Sequence, residues 1–226
     1  TFDGTIMVAF ADDSINEADE TFTVVLTNLT GGSGTGNDFS DATGLGTILD
    51  DDVPTISIAD NSATEGTDID FTVTTTSASD VDLTLGTVGT TAVSATQDTD
   101  YPTTSAEPFT IPAGDTTATF TVQTTADSIN EADETFTLTL SSPTNSTLDT
   151  SNNGNTSTDA SIATGTITND DAVPTIAIDD VASGEADGTA VYTLTLSAVS
   201  GLDATVAYAV TSGTATAGTD TGAATD

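Results

Sequence analysis

The stretch Asp13-Ser-Ile-Asn-Glu-Ala-Asp-Glu-Thr-Phe22 recurs without a single change at Asp127–Phe136, 114 residues further on. Self-similarity at a fixed offset marks a tandem array, and a unit of this size is common for a β-sandwich. The copied element is an acidic loop that runs into a strand. An acidic loop preserved this strictly between two copies points to a cation site.

Working outward, the apolar residues after each loop alternate with Thr, as in Phe22, Val24, Leu26 and in Phe136, Leu138, Leu140. A period of two predicts half-buried strands. The same alternation marks Ile6, Val8, Phe10; Ile56, Ile58; Phe71, Val73; Val81, Leu83, Leu85; Phe120, Val122; Tyr192, Leu194, Leu196; and Val206, Tyr208, Val210. No stretch carries a helical stripe, so the expected class is all-β, built as tandem antiparallel β-sandwiches.

A second repeated signature, Gly46-Thr-Ile-Leu-Asp-Asp-Asp-Val-Pro-Thr-Ile56 against Gly165-Thr-Ile-Thr-Asn-Asp-Asp-Ala-Val-Pro-Thr-Ile176, places the joints. A strand ends, an acidic triplet follows, and Val-Pro starts the next strand, where the missing proline N–H costs no ladder bond and the fixed φ stiffens the chain. Residues 53–172 then form a complete unit. They are flanked by the back half of a unit at 1–52 and the front half of another at 173–226, which together amount to nearly one more unit. An isolated half-sandwich exposes a sheet edge and an apolar face. The expectation is therefore either a window of a longer array or subunits whose halves complete one another head to tail. The start at Thr1, without methionine, adds the expectation of a removed leader or preceding segment. The loops at 30–45 and 143–161 read as surface variation.

Charge narrows the function. The 226 residues hold 36 Asp and Glu and no Lys, Arg or His, for a net charge of −36. Two carboxylates about 4 Å apart repel by roughly 4 kcal/mol at an effective dielectric near 20, so clustered acidic loops need positive charge from outside the chain. Hydrophobic residues make up only 35%, so self-repulsion weakens the metal-free fold and bound cations add to stability. Without Cys or His, thiolate sites, disulfides and the usual zinc and copper chemistry are excluded. Oxygen ligands remain, which suit calcium, abundant outside cells, better than magnesium. The absence of basic residues removes any electrostatic footing on nucleic acid or anionic lipid, and no apolar run reaches 18 residues, so membrane insertion is not expected here. The Thr-, Ser-, Asp-, Asn- and Gly-rich composition points to an extracellular or cell-surface location.

These marks come together as a family resemblance. Glu65 and Glu185 follow the first strand of their units, Gln97-Asp-Thr-Asp100-Tyr and Ala217-Gly-Thr-Asp220 follow later, then comes the Asp-x-Ile-x-Glu-x-x-Glu loop, then the closing triplet. In this order they resemble Calx-beta domains, found in the calcium-sensing region of sodium/calcium exchangers, in an integrin and in many bacterial surface proteins. The resemblance covers the whole chain. It implies seven-stranded immunoglobulin-like sandwiches with Ca2+ ions clustered where the acidic loops gather.

Carried over by position, the resemblance assigns to the complete unit Glu65, Asp100, Asp127, the backbone carbonyl of Ile129, Glu131, Glu134, Asp170 and Asp171. It assigns to the first segment Asp12, Asp13, Ile15, Glu17, Glu20, Asp50, Asp51 and Asp52, and to the last Glu185 and Asp220. Ala126 stands where the earlier copy has Asp12, and Asn169 replaces the first Asp of the triplet, so fewer or weaker ions are expected in the complete unit.

Other readings are weaker. A pair such as Glu131 and Glu134 can serve as acid and base in glycoside hydrolysis, yet the chain has no Trp for a sugar platform and no other catalytic side-chain class, so no enzyme is expected. The sequons at Asn28, Asn145 and Asn155 are ordinary in a Thr/Ser-rich chain. Without Lys, no Lys–Asn isopeptide cross-link can stiffen a fibre, which leaves that role to calcium. The resulting expectation is a calcium-stiffened fibre or stalk of a cell-surface or matrix filament whose partners are copies of itself. The alternative is a repeat segment of a giant single-chain calcium-dependent adhesin, with any surface or matrix ligand bound outside this segment.

Overall fold

The computed structural model describes residues 4–27, 41–102, 107–151, 155–156, 159–211 and 213–215. Asp220 and the Asn28 sequon lie outside the described residues. The chain divides into two compact units, one comprising Thr1–Asp127 with Asp133–Thr168, the other Ser128–Ala132 with Asn169–Asp226.

The first unit begins with an antiparallel pair, β1 (Glu20–Val25) and β2 (Thr43–Ile48). A sandwich follows, made from β3 (Thr55–Ile58), β4 (Asn61–Thr64), β5 (Ile69–Thr75), β6 (Leu83–Ala92), β7 (Glu107–Ile111), β8 (Thr117–Val122), β9 (Glu134–Thr144), β10 (Thr147–Leu148) and β11 (Ile162–Thr168). One sheet has the order β10-β3-β5-β8 and the other β4-β11-β9-β6-β7. Period-two burial gives each sheet one apolar face, and Ile56, Phe71 and Val73 from one sheet meet Leu85, Phe136 and Leu138 from the other in a single core. Tyr101 stacks on Phe136 at 4.6 Å between ring centroids, and Phe71 meets the same ring edge-on at 6.0 Å.

The first strand of the sandwich is divided between the sheets. β3 pairs antiparallel with β5, whereas β4 runs parallel to β11 and covers its edge. Asp60 sits at the crossing, where its carboxylate accepts from the N–H groups of Thr156 and Thr164, both at 2.7 Å. Asn155 donates to the carbonyls of Ile58 at 2.7 Å and Ile162 at 3.0 Å. The Asn155 amide is therefore a structural staple, and a glycan on that nitrogen would take one of the two hydrogens it donates. With β3 and β4 counted as one strand and the two-residue β10 as an addition, the sandwich has the seven strands the sequence implied. Its parallel edge pairings, β4–β11 and β10–β3, were not foreseen.

The two repeated signatures meet across a strand pair. Phe22 faces Gly46 in the β1–β2 register, and Phe136 faces Gly165 between β9 and β11. Each phenyl ring lies over its glycine: an added Cβ would come within 2.4 Å of the ring Cζ in both copies.

In the second unit, β12 (Ile176–Ile178) pairs antiparallel with β13 (Leu194–Leu196), and a 3-10 turn spans Glu185–Asp187. Ile178, Tyr192 and Leu194 are 63%, 55% and 50% exposed, while their counterparts Ile58, Phe71 and Val73 in the sandwich are at 0–1%. In the first unit, Ile6, Val8, Phe22, Val24 and Leu26 line an open depression of about 580 Å³. The strands expected at Ile6–Phe10 and Val206–Val210 are not formed. A strand needs a neighbour to close its ladder, and neither stretch is paired with one among the described residues.

Gly165→Ala should cost about 1–3 kcal/mol through the clash with Phe136, while Gly89→Ala in β6, where an added Cβ meets nothing within 4 Å, should stay within about 1 kcal/mol. Denaturant unfolding checks this. Equal midpoints for the two variants would show that the ring–glycine contact carries no weight.

Candidate metal centre

Antiparallel pairing brings the acidic loop and the acidic triplet to one place. With Glu20 opposite Ile48, the loop that enters β1 lies at the end where the chain leaves β2. Asp12, Asp13, Ile15, Glu17, Glu20, Asp50, Asp51 and Asp52 all line one open depression of about 510 Å³. The eight residues assigned to the first segment thus share a single hollow.

Hydrogen bonds hold the loop in that position. Asp13 Oδ1 accepts from the Ile15 N–H at 2.8 Å and turns the chain. Asp50 clamps the loop with both oxygens, taking the Glu17 N–H at 3.1 Å on Oδ1 and the Asn16 side-chain amide at 3.1 Å on Oδ2. Asn16 also donates to the Asp52 carbonyl at 2.9 Å, and the Asp50 N–H donates to Asp19 at 3.2 Å.

The hollow is short of positive charge. The Glu17 carboxyl is pushed up by partial burial and by the charges of Asp13, Glu20, Asp80 and Asp50, and Asp52 is pushed up by partial burial and by Asp51, Asp50, Asp12 and Asp13. Among the described residues, no three carboxylates of this copy bring oxygens within 4.8 Å of one another.

In the sandwich of the first unit, carboxylate oxygens of Glu65 and Asp127 lie within 4.8 Å of each other, as do those of Asp100 and Glu134. Glu65 is set by its N–H bond to the Thr168 carbonyl at 3.1 Å and by Gly66, whose φ of +72° lets the chain turn against Ala126. Asp100 is fixed by a backbone bond from Thr125 to its carbonyl at 2.8 Å and by the Thr96 N–H on its carboxylate.

In the second unit, the Glu131 N–H donates to Asn169 Oδ1 at 2.9 Å, the same clamp that Asp50 makes on Glu17. The apparent departure at Asn169 therefore preserves the loop-holding role, since an amide oxygen accepts the bond as well as a carboxylate does. Asn169 also donates to the Asp171 carbonyl at 3.0 Å. The Glu131 side chain lies over Gly201, where an added Cβ would meet Oε1 at 2.7 Å. Among the described residues, Asp171 Oδ2 is buried with no hydrogen-bond partner. An orphaned buried carboxylate oxygen is the kind of atom a hard cation satisfies.

The Calx-beta domain family matches residues 1–62, 49–172 and 168–224. The chain belongs to the Calx-beta family. Among solved structures, the apo form of the Calx CBD1 domain is similar at 18% identity over 53% of this chain and 100% of that chain, with a TM-score of 0.44. CBD12 from CALX1.2 is similar at 19% identity over 56% of this chain and 49% of that chain, with a TM-score of 0.45. The calcium binding domain CBD12 of CALX1.1 matches at 19% identity over 55% of this chain and 50% of that chain, with a TM-score of 0.43. The chain thus spans about half the length of both CBD12 structures. No curated protein sequence matches it.

As a Calx-beta chain without Cys or His it offers oxygen donors at its acidic loops, which fits a hard divalent cation. Glu185 sits on the exposed turn Glu185–Asp187, and Asp220, its expected companion, lies outside the described residues. Sequence reading overlooked Asn16 and Asn130, which are buried at 5% and 6% exposure in the middle of the copied loops. An uncharged amide kept unchanged among carboxylates was the available signal.

The raised carboxyls make a pH prediction. Glu17 and Asp52 bind a proton more tightly folded than unfolded, so metal-free stability should rise as pH falls from neutral through their raised values toward 4.5 and 3.8, and be lost in the opposite direction. Asp149, held below 3.8 by the Ser151 hydroxyl and N–H, acts in the opposite sense only at lower pH. Denaturant titrations in excess chelator between pH 7 and 4.5 check the trend, which saturating divalent cation should reverse because protons compete for the ligands. A metal-free protein that loses stability across that window would contradict the charge-crowded reading of the hollow.

Proposed function

We propose that this chain is a calcium-stiffened repeat segment of an extracellular fibre or stalk. The observation that carries the reading is the shared hollow of Asp12, Asp13, Ile15, Glu17, Glu20, Asp50, Asp51 and Asp52, in a chain with no cationic side chain to neutralise it. Calcium takes about six to eight oxygen ligands in flexible geometry, which the carboxylates and the Ile15 carbonyl can supply. The unchanged loop copy assigns the same role to Asp127, Ile129, Glu131 and Glu134, the family resemblance adds Glu65, Asp100, Asp170 and Asp171, and Glu185 with Asp220 would belong to a further site. When bound, calcium supplies the positive charge that the chain lacks. The chain's own part is to hold the loops by the Asp50 and Asn169 clamps, so that little ordering remains to be done on binding.

The repeats read as a complete domain at 53–172 between half-domains at 1–52 and 173–226. The exposed apolar residues of the halves are the counterparts of core residues in the complete domain, which favours copies of the same repeat as partners. Those copies are either neighbouring repeats of a longer single-chain adhesin or separate subunits of a polymer, and the mass of the mature protein distinguishes them. Among the described residues no helix is long and apolar enough to cross a membrane. Catalysis is not part of the proposal, because Glu131 and Glu134, the carboxylates an acid–base pair would use, are assigned to the cation.

Calcium at about 100 times its Kd should stabilise each occupied domain by about 2.7 kcal/mol, raising Tm on the order of 10 °C over the chelated protein. Glu20→Gln and Glu134→Gln should each weaken calcium binding about tenfold or more by calorimetry, while Thr137→Ser should not. Unchanged melting in chelator and calcium, or equal affinities across these variants, would reduce the acidic loops to solvated turns.

A further inference from the structure

The buried amides at the centre of the copied loops make a contact that cation binding does not require. Asn16 lies among carboxylates yet turns its carbonyl away from them: Oδ1 accepts the hydroxyl of Ser79 at 2.7 Å, and its backbone oxygen accepts the Asp80 N–H at 2.8 Å. Ser79 is 1% exposed and forms an isolated parallel bridge with Asn16. The loop belongs to the first repeat and the serine to the next. Inside the second unit the backbone part of the contact recurs, with Asn130 bridged in parallel to Ser200, its backbone oxygen accepting the Gly201 N–H at 3.0 Å and the Ser200 hydroxyl at 3.3 Å.

The receiving segments also match. Ser79-Asp-Val-Asp82 and Ser200-Gly-Leu-Asp203 occupy the same place in successive repeats, 121 residues apart. In each, the serine hydroxyl accepts the N–H two residues on, from Val81 at 3.2 Å and from Leu202 at 3.1 Å. The first segment is fixed within its own domain, because Gly114 donates to the Ser79 carbonyl at 2.8 Å and Asp82 accepts from the Ala113 N–H at 2.9 Å. A preformed turn thus presents a hydroxyl and a backbone N–H to the loop. On the loop side, the Asn16 amide is held by Asp50 and Asp52, and the Asn130 amide by the Asp171 carbonyl at 3.3 Å. Each asparagine spends its NH2 on the exit of its own repeat and offers oxygen to the repeat that follows, Asn16 from both side chain and backbone and Asn130 from the backbone.

We infer that the loop asparagine is the docking point by which each repeat recognises its successor, and that the partner surface is the Ser-x-(Val/Leu)-Asp turn of a following copy of the same repeat. The position is a positioning site distinct from the cation ligands: its contacts to the neighbour are a hydroxyl, an amide carbonyl and backbone groups, none of which carries charge. A buried serine left without its acceptor, or an asparagine without its donor, loses a bond that water does not replace.

Hydrogen exchange on the full chain in calcium tests this at the Asp80 and Gly201 amides. Asn16→Ala and Ser79→Ala should each speed exchange at Asp80 about tenfold, and the double variant should exchange little faster than either single, as partners in one contact do. The amides of β5 and β9 should keep their protection. At the second copy, Ser200→Ala should speed exchange at Gly201 while Ser200→Thr, which keeps the hydroxyl, should not; this half-buried position decides the matter should a first-copy variant fail to fold. Unchanged exchange at Gly201 in Ser200→Ala, or strictly additive effects of Asn16→Ala and Ser79→Ala, would overturn the inference.

Discussion

Uncompensated negative charge governs this molecule. With 36 carboxylates and no Lys, Arg or His, every acidic group must be solvated, spread out, hydrogen-bonded to an N–H or neutralised from outside. Each of these outcomes occurs. Asp60, Asp82 and Asp149 are absorbed by backbone N–H groups, which stabilise a carboxylate without needing a cation. The copied loop and the triplet are absorbed in this way only in part, through Asp13, Asp19 and Asp50, because strand pairing drives five Asp and two Glu into one hollow. The Glu17 and Asp52 carboxyls are pushed up there, first by partial burial and then by their acidic neighbours. A fold that gathers like charges where it also closes its sheets links its own stability to an external ion.

Much of the fold was legible because the physics that sets it is local and periodic. Alternating Thr and apolar residues identified β5, β8 and β9, and Val-Pro located the starts of β3 and β12. The pairing of Phe22 with Gly46 and of Phe136 with Gly165 shows why both signatures repeat together: a phenyl ring occupies the space that any side chain on the facing strand would need. What alternation could not disclose was the division of the first strand at Asp60. Both β3 and β4 read as extended, and the transfer between sheets depends on Asn155, about 95 residues away, whose amide ties the two edges. The strands expected at Ile6–Phe10 and Val206–Val210 have the right pattern, but a period of two describes a face and says nothing about whether a neighbouring strand is there to pair with it.

For the candidate site, residue types and spacing singled out the loop and triplet, and the register of β1 against β2 explains why they share a hollow. The separate roles of those residues were not legible. Asp50 was grouped with the other acids, yet both of its oxygens already hold the loop, and Asn169 does the same work with one oxygen. Asn16 and Asn130 escaped notice because attention to charge passes over an uncharged residue. Ser79 and Ser200 escaped because a lone serine in a Thr/Ser-rich chain carries no signal until its burial is seen.

The asparagine explains why a loop this acidic is not acidic throughout. An Asp at position 16 would match its shape but would place a carboxylate beside Asp50 Oδ2, where the Asn16 amide now donates at 3.1 Å, and would remove the donor to the Asp52 carbonyl. Burying an unpaired charge there costs several kcal/mol, more than a single joint hydrogen bond returns. The loop therefore separates two tasks by chemistry. Its carboxylates answer to the ion in solution, whereas its amide, indifferent to that ion's charge, answers to the next repeat. Since the same residue is tied to both the acidic triplet and the neighbouring turn, ordering of the hollow and seating of the following repeat share one mechanical part.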